Sequence, residues 1–206
     1  MRVPGLLADH RLISEGDEGA LLPEEQAAFS RSVVKVRRAS GAARIVARGL
    51  MLRLGLGEHP IPKASGGQPV WPDGIVGSLA HDAKVAVAAI ARRSDFVSLG
   101  IDVEPADPLD AELVPIVATE QEQQALADDL LRARLLFAIK EAIYKAVYPL
   151  DGMFLDHHDV EMNFGSGAAF VRGGRVVEVR YQTSPRILAL GLVRASGASV
   201  TPLPAV

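Results

Sequence analysis

The sequence predicts an α+β fold of two similar lobes related by a pseudo-two-fold duplication, each a helix packed on a small, mostly antiparallel sheet. Its 206 residues fit one domain or two small lobes that share a core. Thirteen prolines and nineteen glycines indicate many turns, and therefore a mixture of helices and strands. Each half also shows a basic-rich helical pattern followed by strand patterns, which favours a duplication. We expect the first lobe over residues 1–104 and the second over residues 105–206.

The composition is typical of a globular intracellular protein. Apolar residues make up 49% of the chain and aromatic residues only 5%, which indicates a core of Ala, Val and Leu. Cysteine is absent, so disulfides, thiolate catalysis and thiolate metal sites are excluded. The longest apolar run, residues 85–91, is too short to cross a bilayer, and the first residues lack a signal peptide's apolar core. We expect a cytoplasmic monomer without a membrane span, and the net charge of −3 gives no reason to expect nucleic-acid binding.

The first half contains two helix signals and one loop signal. Pro23, followed by Glu24 and Glu25, suits the first turn of a helix. A second helical pattern runs over about residues 42–56. Residues 60–72 are rich in turn formers and too short for a domain linker, so we interpret them as an ordered loop beside a site.

Positive charge is concentrated in one segment of the first half. Residues 26–57 contain no Asp or Glu. The cations in this segment are Arg31, Lys35, Arg37, Arg38, Arg44, Arg48 and Arg53. Two interpretations are open: a solvated helix face, or a docking surface for a polyanionic ligand or an acidic partner.

Two strand patterns follow, over residues 83–91 and 97–103, joined by a short turn. Alternation along the second places Asp102 and Glu104 on the face opposite its apolar residues, and Pro105 ends it. Such acids are often only a solvated face. Two carboxylates so close repel each other unless a cation lies between them, however, and Mg²⁺ prefers such oxygen ligands.

The second half begins with helices. Thr119 opens a capping-box pattern, and a longer helix is predicted over residues 129–148, ended by Pro149. Its predicted core stripe consists of Leu135, Ile139, Ala142, Ile143 and Ala146. Glu141 and Lys145 lie one turn apart outside that stripe, which is also the spacing of an ordinary exposed ion pair.

The last fifty residues are predicted to form short strands and a frayed tail. The four strand patterns cover residues 160–164, 168–171, 175–181 and 187–193.

Three motifs, taken together, carry a family resemblance: GSLAH at 77–81, GIDVE at 100–104 and FAIKEAIYKA at 137–146. In this order and spacing they resemble the 4′-phosphopantetheinyl transferase superfamily. The length and the upstream Arg-rich segment are similar to its larger, single-chain members of the enterobactin- and surfactin-synthase-activating type. The resemblance covers roughly residues 37–149.

The resemblance implies a Mg²⁺-dependent enzyme that moves the phosphopantetheine arm of coenzyme A to a serine of an apo acyl or peptidyl carrier protein. It releases 3′,5′-ADP, and coenzyme A lies in the cleft between the lobes. Siderophore or other secondary-metabolite synthesis is the expected setting, although the sequence leaves the carrier open.

The resemblance also implies roles for single residues. The implied Mg²⁺ ligands are Asp102, Glu104 and Glu141. The implied catalytic residues are Glu141, which assists deprotonation of the serine, Lys145, which neutralises the pyrophosphate or leaving group, and His81. The implied binding residues for coenzyme A are Arg37, Arg44, Lys63, Ser78, His81, Asp102 and Lys145. Taken alone, His81 also fits a structural histidine.

Three positions depart from the family pattern. Asp82 stands where Cys is frequent, and we expect it to point away from the nucleotide. Ala43 replaces a common Gly, and Phe137 replaces the usual Trp. Two rival functions are a non-catalytic module that binds coenzyme A or a carrier protein, and another Mg²⁺-dependent phosphotransferase. The chain lacks the Walker and kinase motifs of the common phosphotransferases.

Overall fold

A computed structural model describes residues 2–195, which form two antiparallel sheets, each with a long helix. The helices are α1 (Pro23–Gln26), α2 (Val34–Arg53), α3 (Val114–Val117), α4 (Glu120–Leu126) and α5 (Leu130–Asp151). The strands are β1 (Leu6–Leu12), β2 (Ile75–His81), β3 (Val85–Arg92), β4 (Phe96–Pro105), β5 (Val160–Asn163), β6 (Ala168–Val171), β7 (Arg175–Gln182) and β8 (Arg186–Arg194). The predicted α+β class is confirmed.

The two sheets have the strand orders β1-β3-β2 and β4-β8-β7-β6-β5. Helix α2 packs on the first sheet and α5 on the second, so each sheet has one helix-covered face. Apolar side chains of β2, β3, β4 and β8 form a shared core between the sheets, including Val87, Phe96, Ile101 and Leu190. Strand β4 is therefore buried on both faces.

The predicted lobe boundary at residue 104 does not coincide with the division between the sheets. Strand β4 pairs with β8, with Gly100 opposite Gly191, and therefore belongs to the five-stranded sheet. The sheets divide at the turn over residues 93–95 instead. The physical reason is that β4 finds its hydrogen-bonding partner almost ninety residues later in the chain, which local patterns cannot indicate.

The helix boundaries differ from the predictions at two places. Helix α2 begins at Val34, well before residue 42; the exposed Val34 and Val36 in its first turn hide the amphipathic pattern. Pro149 does not end α5: the helix continues to Asp151 and stops at Gly152, which has a φ of 68°. Proline fits there because it lies in the last turn, and the glycine adopts the left-handed conformation that ends helices.

The remaining elements follow the sequence patterns closely. Thr119 caps α4 by accepting from the Glu122 amide at 3.3 Å, while Glu122 accepts from the Thr119 amide at 2.9 Å. The predicted core stripe of α5 is buried along its whole length. The four late strands agree with their patterns to within about one residue. The frayed tail falls, beyond residue 195, outside the described residues.

No helix in the described part of the chain combines the length and the apolar character needed to span a membrane.

Candidate active site

Strand β4 and helix α5 approach each other so closely that only glycine fits between them. A Cβ atom on Gly100 would overlap the carbonyl oxygen of Ala142 and lie 2.7 Å from the amide nitrogen of Ala146. The face of β4 that carries Gly100 also carries Asp102 and Glu104, as the alternation predicted. This contact brings both carboxylates to the helix that carries Glu141 and Lys145.

Asp102 and Lys145 form the central ion pair. Lys145 Nζ donates to Asp102 Oδ1 at 2.6 Å and lies 3.3 Å from the carbonyl oxygen of Ile101. Asp102 is only 6% exposed, and its Oδ2 is buried without a hydrogen-bond partner among the described residues. Burial raises the pKa of Asp102; the Lys145 ammonium opposes this, and the charge of Glu141 adds to it.

Glu104 is paired with a cation of the same helix. Arg134 Nη1 donates to Glu104 Oε2 at 3.1 Å, and its Nη2 donates to the carbonyl of Pro108 at 3.2 Å. Burial raises the pKa of Glu104, as does the nearby charge of Asp102. The two carboxylates thus repel each other and are held in place by one cation each.

Glu141 faces a histidine that the sequence analysis did not identify. Its Oε1 lies 3.4 Å from Nε2 of His157, and the interaction with this ring lowers the pKa of Glu141 more than burial raises it. The pKa of Glu141 therefore moves in the opposite direction to those of Asp102 and Glu104. Glu141 therefore stays ionised at neutral pH, which is the form in which a carboxylate can accept a proton.

The predicted metal ligands are not gathered into a preformed metal-binding group. Within residues 2–195, no three or more His, Asp or Glu side chains lie close enough together to hold a metal ion. Asp102, Glu104 and Glu141 each face a different partner instead: Lys145, Arg134 and His157. Among the oxygens of these three carboxylates, Asp102 Oδ2 is the one that is buried without a hydrogen-bond partner in the described chain, so it is free to bind a cation.

A cleft of about 510 Å³ lies beside these groups. Helix α5 lines it with Glu141, Tyr144, Lys145 and Tyr148, and β2 adds the buried Ser78. Residues 64 and 66–71 form another wall, so the loop predicted to lie beside a site does so. The cleft therefore joins both sheets, with the reactive side chains on the α5 wall.

Five buried side-chain nitrogen and oxygen atoms lack a hydrogen-bond partner within the described residues; two belong to residues that line the cleft, and three belong to Asp102 and to the partners of Glu104 and Glu141. They are Gln68 Oε1, Trp71 Nε1, Asp102 Oδ2, Arg134 Nε and His157 Nε2. Buried polar atoms are nearly always satisfied in native proteins. Their concentration here indicates a place where a polar ligand completes the hydrogen bonding.

His81 lies at the exposed end of β2, outside the cleft lining. Desolvation by the surrounding protein lowers its pKa, and the ammonium of Lys145 lowers it further. The Lys145 effect places His81 within electrostatic range of the site.

The predicted nucleotide-binding cations differ in accessibility. Arg44 is buried at 4% exposure and donates to the carbonyls of Ile61 at 2.9 Å and Ser40 at 3.2 Å; burial lowers its pKa. Lys63 is exposed on the cleft loop, and both cations lie over the ring of Phe29, at 4.9 and 5.8 Å. Arg44 is thus committed to the interior, whereas Lys63 is accessible.

The basic segment is mostly neutralised by acids from earlier in the chain. Its internal pairs are Arg48 with Glu25, Arg44 with Glu25, Arg38 with Glu18 and Arg53 with Asp9. Among the described residues, Arg31, Lys35 and Arg37 have no ion-pair partner. They surround Val33, Val34 and Val36, which are 67%, 45% and 41% exposed. We call these six residues the α2 patch.

The three departures from the family pattern are accounted for by packing. Asp82 caps the β2–β3 turn by accepting from the amides of Lys84 and Val85, and it pairs with Arg186 of β8. Ala43 packs against Ala86 in the core under α2. Phe137 stacks on the ring of His157.

Sequence reasoning missed the aromatic wall as well as His157. Tyr144, Tyr148 and Phe154 form a cluster with ring centroids 5.4 to 5.8 Å apart. The two tyrosines follow Glu141 at helical spacing, so the pattern could have revealed them. Phe154 and His157 come from the segment after α5, for which the sequence carries no positional signal.

Two family models match the chain. The one described as the 4′-phosphopantetheinyl transferase N-terminal domain matches residues 24–91, and the one described as the 4′-phosphopantetheinyl transferase superfamily matches residues 98–186. The junction between them falls at the division between the two sheets. The second match contains Asp102, Glu104, Glu141, Lys145 and His157.

Several curated proteins are similar in sequence. The 4′-phosphopantetheinyl transferase Svp of Streptomyces mobaraensis is 40% identical over 148 residues, which are 69% of this chain and 60% of that protein. The 4′-phosphopantetheinyl transferase PptT of Mycobacterium tuberculosis is 38% identical over 69% of this chain and 65% of its own. Enterobactin synthase component D of Escherichia coli K12 is 33% identical over 47% of this chain and 48% of its own. The chain thus spans less than two thirds of the length of these relatives.

Proposed function

Because the chain belongs to the 4′-phosphopantetheinyl transferase superfamily, we propose that it transfers the 4′-phosphopantetheine arm of coenzyme A to a serine of an apo carrier protein. The other product is 3′,5′-ADP. The observation that carries the proposal is the concentration of unsatisfied buried polar atoms around Asp102, Glu141 and Lys145, at a cleft of about 510 Å³. That volume lies within the range of small-molecule sites.

The reaction needs charge neutralisation and in-line positioning more than covalent work by the protein. The serine oxygen forms a bond to the β-phosphorus of the pyrophosphate, and the bond from that phosphorus to the bridging oxygen breaks. Glu141, which stays ionised at neutral pH, accepts the serine proton directly or through a water. Lys145 places its ammonium beside the diphosphate and stabilises the charge of the departing 3′,5′-ADP.

Asp102, Glu104 and Glu141 would hold Mg²⁺, with the unpartnered Asp102 Oδ2 as the first ligand. The ion, when bound, orients the diphosphate and neutralises its charge. Each of the three carboxylates faces a different partner in the structure, so they would have to draw together around the ion. Lys145 is bound to the other oxygen of Asp102 and keeps that carboxylate fixed.

Coenzyme A would lie along the cleft between β2, the loop of residues 60–72 and α5. Ser78, Lys63, Arg37 and His81 are the proposed partners of its nucleotide. Arg44 is buried and would not contact the nucleotide directly. It would support the nucleotide site from the interior, where it holds Phe29 and Ile61 in place.

The acidic carrier would dock on the α2 patch. Arg31 and Lys35, the two patch cations not assigned to coenzyme A, are interleaved with exposed valines and match a partner surface that carries acids around an apolar centre. We expect Arg31→Glu with Lys35→Glu to raise the KM for carrier about tenfold and leave the KM for coenzyme A unchanged. Lys84→Glu, at an exposed lysine on the β2–β3 turn, is the matched control. An unchanged KM for carrier would remove the patch from the docking surface.

The decisive experiment is intact-mass spectrometry of apo acyl and peptidyl carrier proteins incubated with this protein, coenzyme A and Mg²⁺. We expect a phosphopantetheine-sized gain that is lost with EDTA and with Glu141→Gln. Coenzyme A binding without any gain on any carrier would favour a non-catalytic module. Full transfer by Glu141→Gln would remove Glu141 from the mechanism.

We also propose a cytoplasmic monomer that serves siderophore or other secondary-metabolite synthesis. The similarity to an enterobactin synthase component supports that setting. Light scattering tests the monomer, and ranking carriers by transfer rate tests the pathway.

A further inference from the structure

The ring of His157 makes a contact that none of the sequence motifs includes. Its Nε2 is buried, has no hydrogen-bond partner in the described chain, and faces Oε1 of Glu141 at 3.4 Å. This distance is an ion-pair distance slightly longer than a hydrogen bond, and such contacts tighten when a substrate closes the site. The other oxygen of Glu141 takes part in no hydrogen bond or ion pair with the described residues.

Three independent contacts fix where His157 can be. Its carbonyl accepts from Nζ of Lys140 at 2.9 Å, and that ammonium is itself bound to Glu122 at 2.5 Å in the core. Its ring stacks on Phe137 with centroids 5.6 Å apart and planes 28° apart. Asp156 accepts from the next amide, that of His158, and so caps the short helical turn. The backbone and the ring are therefore both held in place.

Helix α5 itself supplies the reason for this arrangement. Phe137 and Glu141 lie one turn apart on one face of the helix, and Lys140 lies beside them and reaches the backbone of His157. One helix thus holds the backbone of His157 through Lys140 and its ring through Phe137. In this arrangement Nε2 faces the Glu141 carboxylate.

We infer that His157 is a positioning residue, which holds one oxygen of Glu141 and so aims the other at the reacting centre. This inference rests on the proposed function. Partners of this kind keep a ligand or base in its productive rotamer, and removing them typically reduces metal affinity or activity about 10- to 100-fold. His157 does this from outside the substrate cleft, since it does not line the 510 Å³ cavity.

The test compares His157→Phe, which keeps the ring stack but loses the donor, with His157→Gln, which restores a donor. His158→Gln is the matched control, because His158 is adjacent but its ring contacts the carbonyl of Pro115. We expect His157→Phe to lower kcat about 10- to 100-fold with an unchanged KM for coenzyme A, and His157→Gln to recover part of the loss. The thermal midpoint should stay at the parent value for all three variants.

A second readout separates this inference from the proposed function. Binding of Mn²⁺ alone, followed by electron paramagnetic resonance, should weaken in His157→Phe and stay unchanged in His158→Gln, whether or not any carrier is modified. Parent-like kcat and Mn²⁺ affinity in His157→Phe, or an equal loss in His158→Gln, would overturn the positioning role. Failure of the parent protein to modify any carrier would instead count against the proposed function.

Discussion

The contact between β4 and α5 makes Gly100→Ala the sharpest test of how the site is assembled. The added Cβ would overlap the carbonyl oxygen of Ala142 and lie 2.7 Å from the amide of Ala146, and both are backbone atoms that cannot rotate away. Ordinary contact begins at 3.4 Å, so the helix has to move by about 1 Å or more relative to the strand. That movement separates Lys145 from Asp102, which are 2.6 Å apart.

The magnitudes follow from the size of this shift. Overpacking a rigid core costs about 1–3 kcal/mol of unfolding free energy. A misplacement of about 1 Å between catalytic groups can reduce the rate about a hundredfold. We therefore expect Gly100→Ala to fold with a lower urea midpoint. It should also lose most of its transfer activity under conditions in which it is still folded.

Gly191→Ala is the matched control, because Gly191 lies directly opposite Gly100 on β8 and faces the same helix. Its added Cβ would lie 3.1 Å from both the Ala142 oxygen and the Ile143 Cα, so the neighbours need to move only a few tenths of an ångström. We expect a cost of about 1 kcal/mol or less and nearly full activity. Parent-like activity in Gly100→Ala, or equal losses in the two variants, would refute the argument.

Three further predictions concern stability and charge. Lys140→Met should lower the unfolding free energy by about 3–5 kcal/mol, because it leaves Glu122 buried without its cation. Adding Glu122→Gln, which removes the charge and keeps an oxygen for the backbone amides that Glu122 binds, should recover part of this, and chemical denaturation measures both. Arg44→Met should lower stability by about 1–3 kcal/mol through its lost carbonyl partners, and lost coenzyme A binding at an unchanged urea midpoint would show direct nucleotide contact instead. Arg38 lowers the pKa of Glu18 from its ordinary value of 4.5 to about 2, so this acid contributes stability that is lost as the pH falls from 4.5 toward 2. The urea midpoints of parent and Glu18→Gln should therefore draw together over this range and meet near pH 2, and a constant gap would contradict the pairing.

Local periodicity predicted most of the second half of the chain, including the site carboxylates. Strict alternation in β4 placed Asp102 and Glu104 on one face, and the 3.6-residue repeat of α5 placed Glu141 and Lys145 away from its core stripe. Both patterns are set by residues within one element. Both patterns predicted the faces correctly because turning either element over would expose its apolar side chains to water.

Predictions that depended on pairing across the chain were weaker. The sequence predicts Arg44 and Arg48 on a basic surface, but both are buried in the structure. Each pairs there with Glu25, which lies about twenty residues earlier in the sequence. His157 reaches Glu141 only because the segment after α5 turns back along the helix. Neither contact has a sequence period, so neither can be recognised before the fold is known.

The distribution of unsatisfied groups connects stability with the proposed chemistry. Burial raises the pKa values of Asp102 and Glu104, so keeping both ionised at neutral pH destabilises the fold, and Lys145 and Arg134 offset only part of that cost. A purely structural pair at this position could be replaced by apolar side chains with little loss. The chain instead retains the charges beside the close contact where Gly100 meets α5, and Asp102 Oδ2 is buried there without a hydrogen-bond partner among the described residues. Asp102→Asn should therefore raise the thermal midpoint while removing transfer activity, and a variant that loses both stability and activity would show that the carboxylate serves the fold instead.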